Sequence, residues 1–132
     1  MNVRLGYLVC IADHFDAAHE LPKYPGKCSR MHGHRWTVQV RVDSPELDVQ
    51  GMVIDFAKLK QALHEACEQL DHRVVNDVLR EMVPTAENLA QWFFQTLLPV
   101  KLDKGIGAQL VAVRVYESPD CYAEYGWVRL GS

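Results

Sequence analysis

Residues 34–43 read His34-Arg35-Trp36-Thr37-Val38-Gln39-Val40-Arg41-Val42-Asp43. Side chains alternate along an extended chain, so Trp36, Val38, Val40 and Val42 share one side and Arg35, Thr37, Gln39 and Arg41 the other. The stretch predicts a strand with one buried face, ended by Ser44 and Pro45. Upstream, residues 7–12 are an apolar run followed by Phe15, Ala17 and Ala18, and residues 4–19 are expected as one long strand. Between the two strands, Pro22, Pro25, Gly26 and Gly33 supply loop chemistry. Downstream, Asp55 is placed to cap a helix in which Phe56, Leu59, Leu63, Ala66 and Leu70 recur at three- and four-residue steps. Thr85 caps a second helix, with Glu87 near its positive end and an apolar stripe of Leu89, Trp92, Phe93, Thr96 and Leu97. Residues 109–117 and 121–129 complete the set as two strands joined by Ser118-Pro119-Asp120.

The order strand, strand, helix, helix, strand, strand describes a single α+β domain over residues 1–132, its helices covering one face of an antiparallel sheet. In the third long strand Val111, Val113 and Val115 share one side, and Leu110, Ala112 and Tyr116 the other. One layer of helices cannot bury both sides, so self-association is expected.

The 132 residues are 48% hydrophobic and 23% charged, with a net charge of -3, as in an ordinary globular domain. Lys and Arg are scattered, which gives no case for a nucleic-acid or anionic-membrane partner. No stretch approaches the roughly 20 apolar residues that span a bilayer, and the signal-peptide order is absent, so a cytoplasmic protein is expected. Cys10, Cys28, Cys67 and Cys121 form no C-x-x-C pair and are expected as thiols.

The strongest chemical signal is His32-Gly33-His34. In an extended segment residues i and i+2 point the same way, so two imidazoles can converge on one metal, and His19 at the end of the first strand is a third candidate. Three histidines with an open position is the pattern of a catalytic zinc site; surface or core histidine is the plain alternative. Cys28 is open to three readings: a fourth ligand, an activated thiolate, or a small buried thiol. Asp71-His72 has the pattern of an oriented, charged imidazole, though a helix end also favours histidine. Glu117 ends an apolar stripe and has the geometry to accept two parallel N–H bonds from an aminopyrimidine, unless it is a solvated strand end.

Six segments together resemble the 6-pyruvoyltetrahydropterin / 6-carboxytetrahydropterin synthase family. They are Phe15-Asp16-Ala17-Ala18-His19, Cys28-Ser29-Arg30-Met31-His32-Gly33-His34, Gly51-Met52-Val53-Ile54-Asp55-Phe56, Leu70-Asp71-His72, Pro84-Thr85-Ala86-Glu87-Asn88 and the strand ending at Glu117. The resemblance implies the tunnelling fold, with subunits joined into a barrel as a homohexamer. It implies Zn2+ on His19, His32 and His34, with Cys28 as a proton acceptor rather than a ligand. Asp71 and His72 would be its relay partners from a neighbouring subunit. Glu117 would anchor a pterin, and Thr85 and Glu87 would line the same pocket. Only three residues separate Cys28 from His32, which resembles the bacterial 6-carboxytetrahydropterin synthases of the queuosine pathway. Those enzymes are lyases that convert 7,8-dihydroneopterin triphosphate to 6-carboxytetrahydropterin, acetaldehyde and triphosphate. A 6-pyruvoyltetrahydropterin synthase and a non-catalytic zinc or pterin module are the alternatives. Lys23, Lys27, Arg30 and Arg35 are candidates for the triphosphate, or are plain surface charges.

Overall fold

Alternating apolar residues drive both long strands into one hairpin. β1 (Tyr7–His19) pairs antiparallel with β2 (His32–Ser44), from Tyr7 opposite Ser44 to His19 opposite His32. The computed structural model describes residues 4–131; the side chain of Cys28 lies outside the described residues. Between these strands the chain makes a single 3-10 turn at Lys27–Ser29. After β2 come α1 (Phe56–Glu68), β3 (Arg73–Val74), α2 (Val75–Val78), α3 (Ala86–Leu97), β4 (Gln109–Ser118) and β5 (Cys121–Gly126). The five strands form one sheet in the order β3-β1-β2-β4-β5.

Both long helices begin where their caps predict. The Asp55 carboxylate accepts from Ala57 N–H at 2.9 Å, and Thr85 Oγ1 accepts from Asn88 N–H at 3.1 Å. Leu59, Leu63, Ala66 and Cys67 of α1, and Leu89, Phe93 and Leu97 of α3, are buried against Phe15, Trp36, Val38, Val40, Val113 and Val115.

The structure departs from the sequence expectation in several places, the first being that the outer strands are shorter, β1 starting at Tyr7 rather than residue 4 and β5 ending at Gly126 rather than residue 129. β3 and α2 were not foreseen; β3 adds a short parallel strand beside Ala17 and Ala18 at the outer edge of β1. Phe56, expected in the α1 stripe, is 47% exposed, and the buried stripe consists of Leu59, Leu63, Ala66 and Cys67 instead. A β-bulge opposite Arg41 and Val42 makes Val111 an extra residue, so that Leu110 pairs with Val42 while Val113 pairs with Val40. Leu110 therefore joins Val113 and Val115 under the helices. The opposite face is accordingly not apolar. It carries Asp16, Arg35, Thr37, Gln39 and the partly buried ion pairs of Glu124 with Arg41 and Arg114, at 3.1 and 2.6 Å.

Candidate metal centre and its surroundings

Strand register alone brings three histidines together. His19 ends β1 and lies opposite His32, and His34 lies two residues on, facing the same side as Trp36. Their donor atoms all lie within 4.8 Å of one another. Trp36, fully buried, packs against two of the rings, with centroids 4.7 Å from His19 and 4.4 Å from His34. The same alternation that marked Trp36 as a core residue placed it beneath the cluster.

Each ring is oriented by a backbone carbonyl. Nδ1 of His19 donates to Pro84 O at 2.8 Å, Nδ1 of His32 to Arg30 O at 2.8 Å, and Nδ1 of His34 to Arg35 O at 3.2 Å. A carbonyl only accepts, so each Nδ1 carries the proton and each Nε2 presents a lone pair. Nε2 of His19 then stands 3.1 Å from Nε2 of His32 and 3.3 Å from Nε2 of His34. Lone pairs so close repel one another, and a cation between them relieves that repulsion. Three nitrogens on one tetrahedral zinc, each about 2.1 Å from it, stand about 3.4 Å apart, so the donor set fits. Burial holds the His19 imidazole below its ordinary pKa, although the bond to Pro84 works the other way, and so favours the neutral, ligating form. The three histidines can hold one metal ion.

The other expected site residues fall into two groups. Glu117, near the end of β4, is exposed and close enough for its charge to bear on His19. Thr85 follows the carbonyl that orients His19, and Glu87 is exposed in the first turn of α3. Asp71 and His72 lie elsewhere, past the end of α1 at the outer edge of β1. Asp71 Oδ2 accepts from His72 Nδ1 at 2.8 Å. A hydrogen bond from Asp16 N–H, then the one from His72, holds the Asp71 carboxyl below the usual carboxylate range. Asp71 in turn raises the His72 pKa. His72 lines a cleft of about 620 Å³ with Asp16, Ala17, Ala18, Gly33, His34 and Arg35. Of these, Asp16, Ala18, Gly33 and Arg35 face the side of the sheet away from the helices, and Ala17 and His34 share the phase of Trp36. Among the described residues no hydrogen bond joins the triad to the dyad, although His34 and His72 line the same cleft.

The backbone of Cys28 lies in the 3-10 turn just before His32; its side chain is outside the described residues. Of the remaining thiols, burial pushes Cys67 up to about 12, which leaves it inert, while Cys10 and Cys121 are exposed. Lys23, Lys27 and Arg30 are exposed, and Arg35 is ion-paired with Asp16. Among the described residues no helix is long and apolar enough to cross a membrane. Sequence reasoning missed Pro84 O and Asp16, both of which act through backbone groups.

A family model described as 6-pyruvoyl tetrahydropterin synthase matches residues 9–127. A 6-carboxy-5,6,7,8-tetrahydropterin synthase from Synechocystis is 39% identical over 121 residues, covering 88% of this chain and 90% of the relative. A putative enzyme of the same description from Archaeoglobus fulgidus is 34% identical, covering 89% and 93%. Among solved structures, 6-pyruvoyl tetrahydropterin synthase from Caenorhabditis elegans superposes with a TM-score of 0.78 at 29% identity, covering 96% of this chain and 99% of that one.

Proposed function

Since this chain belongs to the 6-pyruvoyl tetrahydropterin synthase family, we propose that it is a zinc-dependent 6-carboxytetrahydropterin synthase acting on 7,8-dihydroneopterin triphosphate. The products are 6-carboxytetrahydropterin, acetaldehyde and triphosphate, feeding queuosine biosynthesis in the cytoplasm. The observation that carries the reading is the convergence of three Nε2 lone pairs at 3.1 and 3.3 Å. The names of the most similar relatives and the short spacing from Cys28 to His32 favour the carboxy product.

His19, His32 and His34 hold the ion, each fixed by its own carbonyl. A zinc ion there would acidify a bound hydroxyl and polarise a developing carbonyl. Glu117 anchors the amino and ring N–H groups of the pterin, with Thr85 and Glu87 lining the same pocket. Cys28 accepts a proton from the substrate side chain. His72, its pKa raised by Asp71, gives or takes a proton at Nε2, since Nδ1 is committed to the carboxylate. The triad and dyad meet in a homohexamer, where His72 is supplied by a neighbouring subunit.

Incubation of purified, metal-analysed protein with dihydroneopterin triphosphate tests the reading. One zinc per chain and release of acetaldehyde are expected; a diketo product with no acetaldehyde would identify a 6-pyruvoyl synthase instead. Cys28→Ala should keep its zinc and lose turnover by orders of magnitude, whereas His32→Ala should lose the metal. Loss of both zinc and fold in Cys28→Ala would make the thiol a structural ligand and sink the proton-acceptor role.

A further inference from the structure

The Asp71–His72 dyad hangs on a residue outside it. Asp16 N–H donates to Asp71 Oδ1 at 2.8 Å, and Asp16 O accepts from His72 N–H at 2.6 Å. Both members of the dyad are thus held by the backbone of one residue on the β1 edge. The bond to Asp16 O also secures His72 at φ 57, a left-handed backbone that a non-glycine residue keeps only when its surroundings impose it.

The Asp16 side chain is fixed in turn. Arg35, its cross-strand partner on β2, donates from Nε to Oδ1 at 3.0 Å and from Nη2 to Oδ2 at 3.2 Å. Such a fork occupies both carboxylate oxygens and keeps one orientation. Asp16, Arg35 and His72 line the same cleft.

We propose that Asp16 and Arg35 are a positioning pair for the dyad, anchoring the strand edge that carries Asp71 and His72 and neutralising each other's charge beside them. The inference rests on the proposed role of His72 as a proton carrier. Around His72 stand Asp71 on its own segment, Glu68 at the end of α1, Asp16 on β1, His34 and Arg35 on β2 and Arg73 on β3, while His14 on β1 bears on Asp71. Within that set Asp16 and Arg35 form the bidentate pair whose halves can be removed separately. Asp16→Asn leaves an unopposed guanidinium, which disfavours imidazolium. Arg35→Gln leaves an unopposed carboxylate, which favours it. A residue with only a scaffolding role would not move the titration in opposite directions.

The test follows the Hε1 resonance of His72 by NMR across pH in zinc-loaded protein, assigned by its loss in His72→Ala. The midpoint should fall in Asp16→Asn and rise in Arg35→Gln, each on the order of half a pH unit. The double variant should return close to wild type, and Arg35→Lys should recover part of the single-variant shift. Zinc content read on the same samples should not change. The pair is refuted by shifts of the same sign or by no shift in either variant; should Arg35→Gln not fold, an unmoved midpoint in the isosteric Asp16→Asn is sufficient. If His72→Ala retains full turnover, the proton-carrier reading fails, whereas the opposed shifts would still report the pair.

Discussion

His72 combines a costly backbone with a favourable side-chain bond, and pH separates the two. A left-handed conformation costs a non-glycine residue on the order of 1 kcal/mol. Against it stands the bond to Asp71, which raises the His72 pKa above 6.5 and helps lower that of Asp71 below 3.8. The His72 contribution is fully present below 6.5 and is lost as pH rises through its raised folded value. The Asp71 contribution is present above 3.8 and is lost as pH falls through its lowered one. The bond therefore stabilises the fold between those limits and fades at alkaline pH. His72→Gly removes both effects. It should be less stable than wild type at pH 5.5 and within about 1 kcal/mol of it at pH 9, where glycine relieves the strain but adds unfolded-state freedom. Urea midpoints at the two pH values decide this; a gap that does not narrow at pH 9 would contradict it. At this scale the sequence exposes side chains and hides backbone partners. The triad was legible because i and i+2 share a strand face. Asp71-His72 was legible as a pair of adjacent types. The anchoring by Asp16 was not, since its amide and carbonyl are common to every residue and only the fold brings them to the dyad.

The long elements follow from periodicity and caps, and the short ones have neither. β1, β2, α1 and α3 each run more than ten residues with a burial pattern at period 2 or 3.6 and, for the helices, a side-chain cap. β3 has two residues and α2 four, too few to display a period. The bulge in β4 was hidden for a related reason. The apolar run from Leu110 to Val113 reads the same in either phase, so nothing marks Val111 as the extra residue. The signal lies across the sheet at Gly126, which pairs with Ala112 and has φ 145. A Cβ there would meet the Val111 carbonyl oxygen and Ala112 Cα. That is backbone, which cannot rotate away, and Trp127 N–H already donates to the same oxygen at 2.8 Å. Gly126→Ala should therefore cost roughly 2 kcal/mol or more by combining strain with loss of the bulge. Alanine at Gly51, also at positive φ but with nothing within 4 Å, should cost only its conformational strain. Equal denaturation midpoints for the two variants would show that the close approach at Gly126 is relieved elsewhere.

Two faces of the sheet hold two halves of the proposed chemistry. The histidine triad opens on the side covered by α1 and α3, next to Pro84 at the start of α3. The dyad sits beyond the β1 edge, in a cleft that His34 of the triad also lines. The sequence argument for association rested on two apolar faces, and the ion pairs of Arg41, Arg114 and Glu124 on the open face replace it with a different one. Among the described residues β1 has a partner on its outer edge only at Ala17 and Ala18, and β5 ends the sheet on the other side with Tyr122 and Tyr125 exposed. Unpaired edges are where a second copy adds strands. In the proposed hexamer, a site takes Cys28 and the triad from one chain and His72 from its neighbour, and subunit exchange tests this directly. Cys28→Ala and His72→Ala should each be inactive alone. When the two are unfolded together and reassembled in equal amounts, about one quarter of the sites should receive both intact residues if chains mix at random. Turnover should then return to about that fraction of wild type in a species of roughly six times 15.1 kDa. If the mixture stays inactive while such hexamers form, each chain carries its own complete site, built across the cleft that His34 and His72 share.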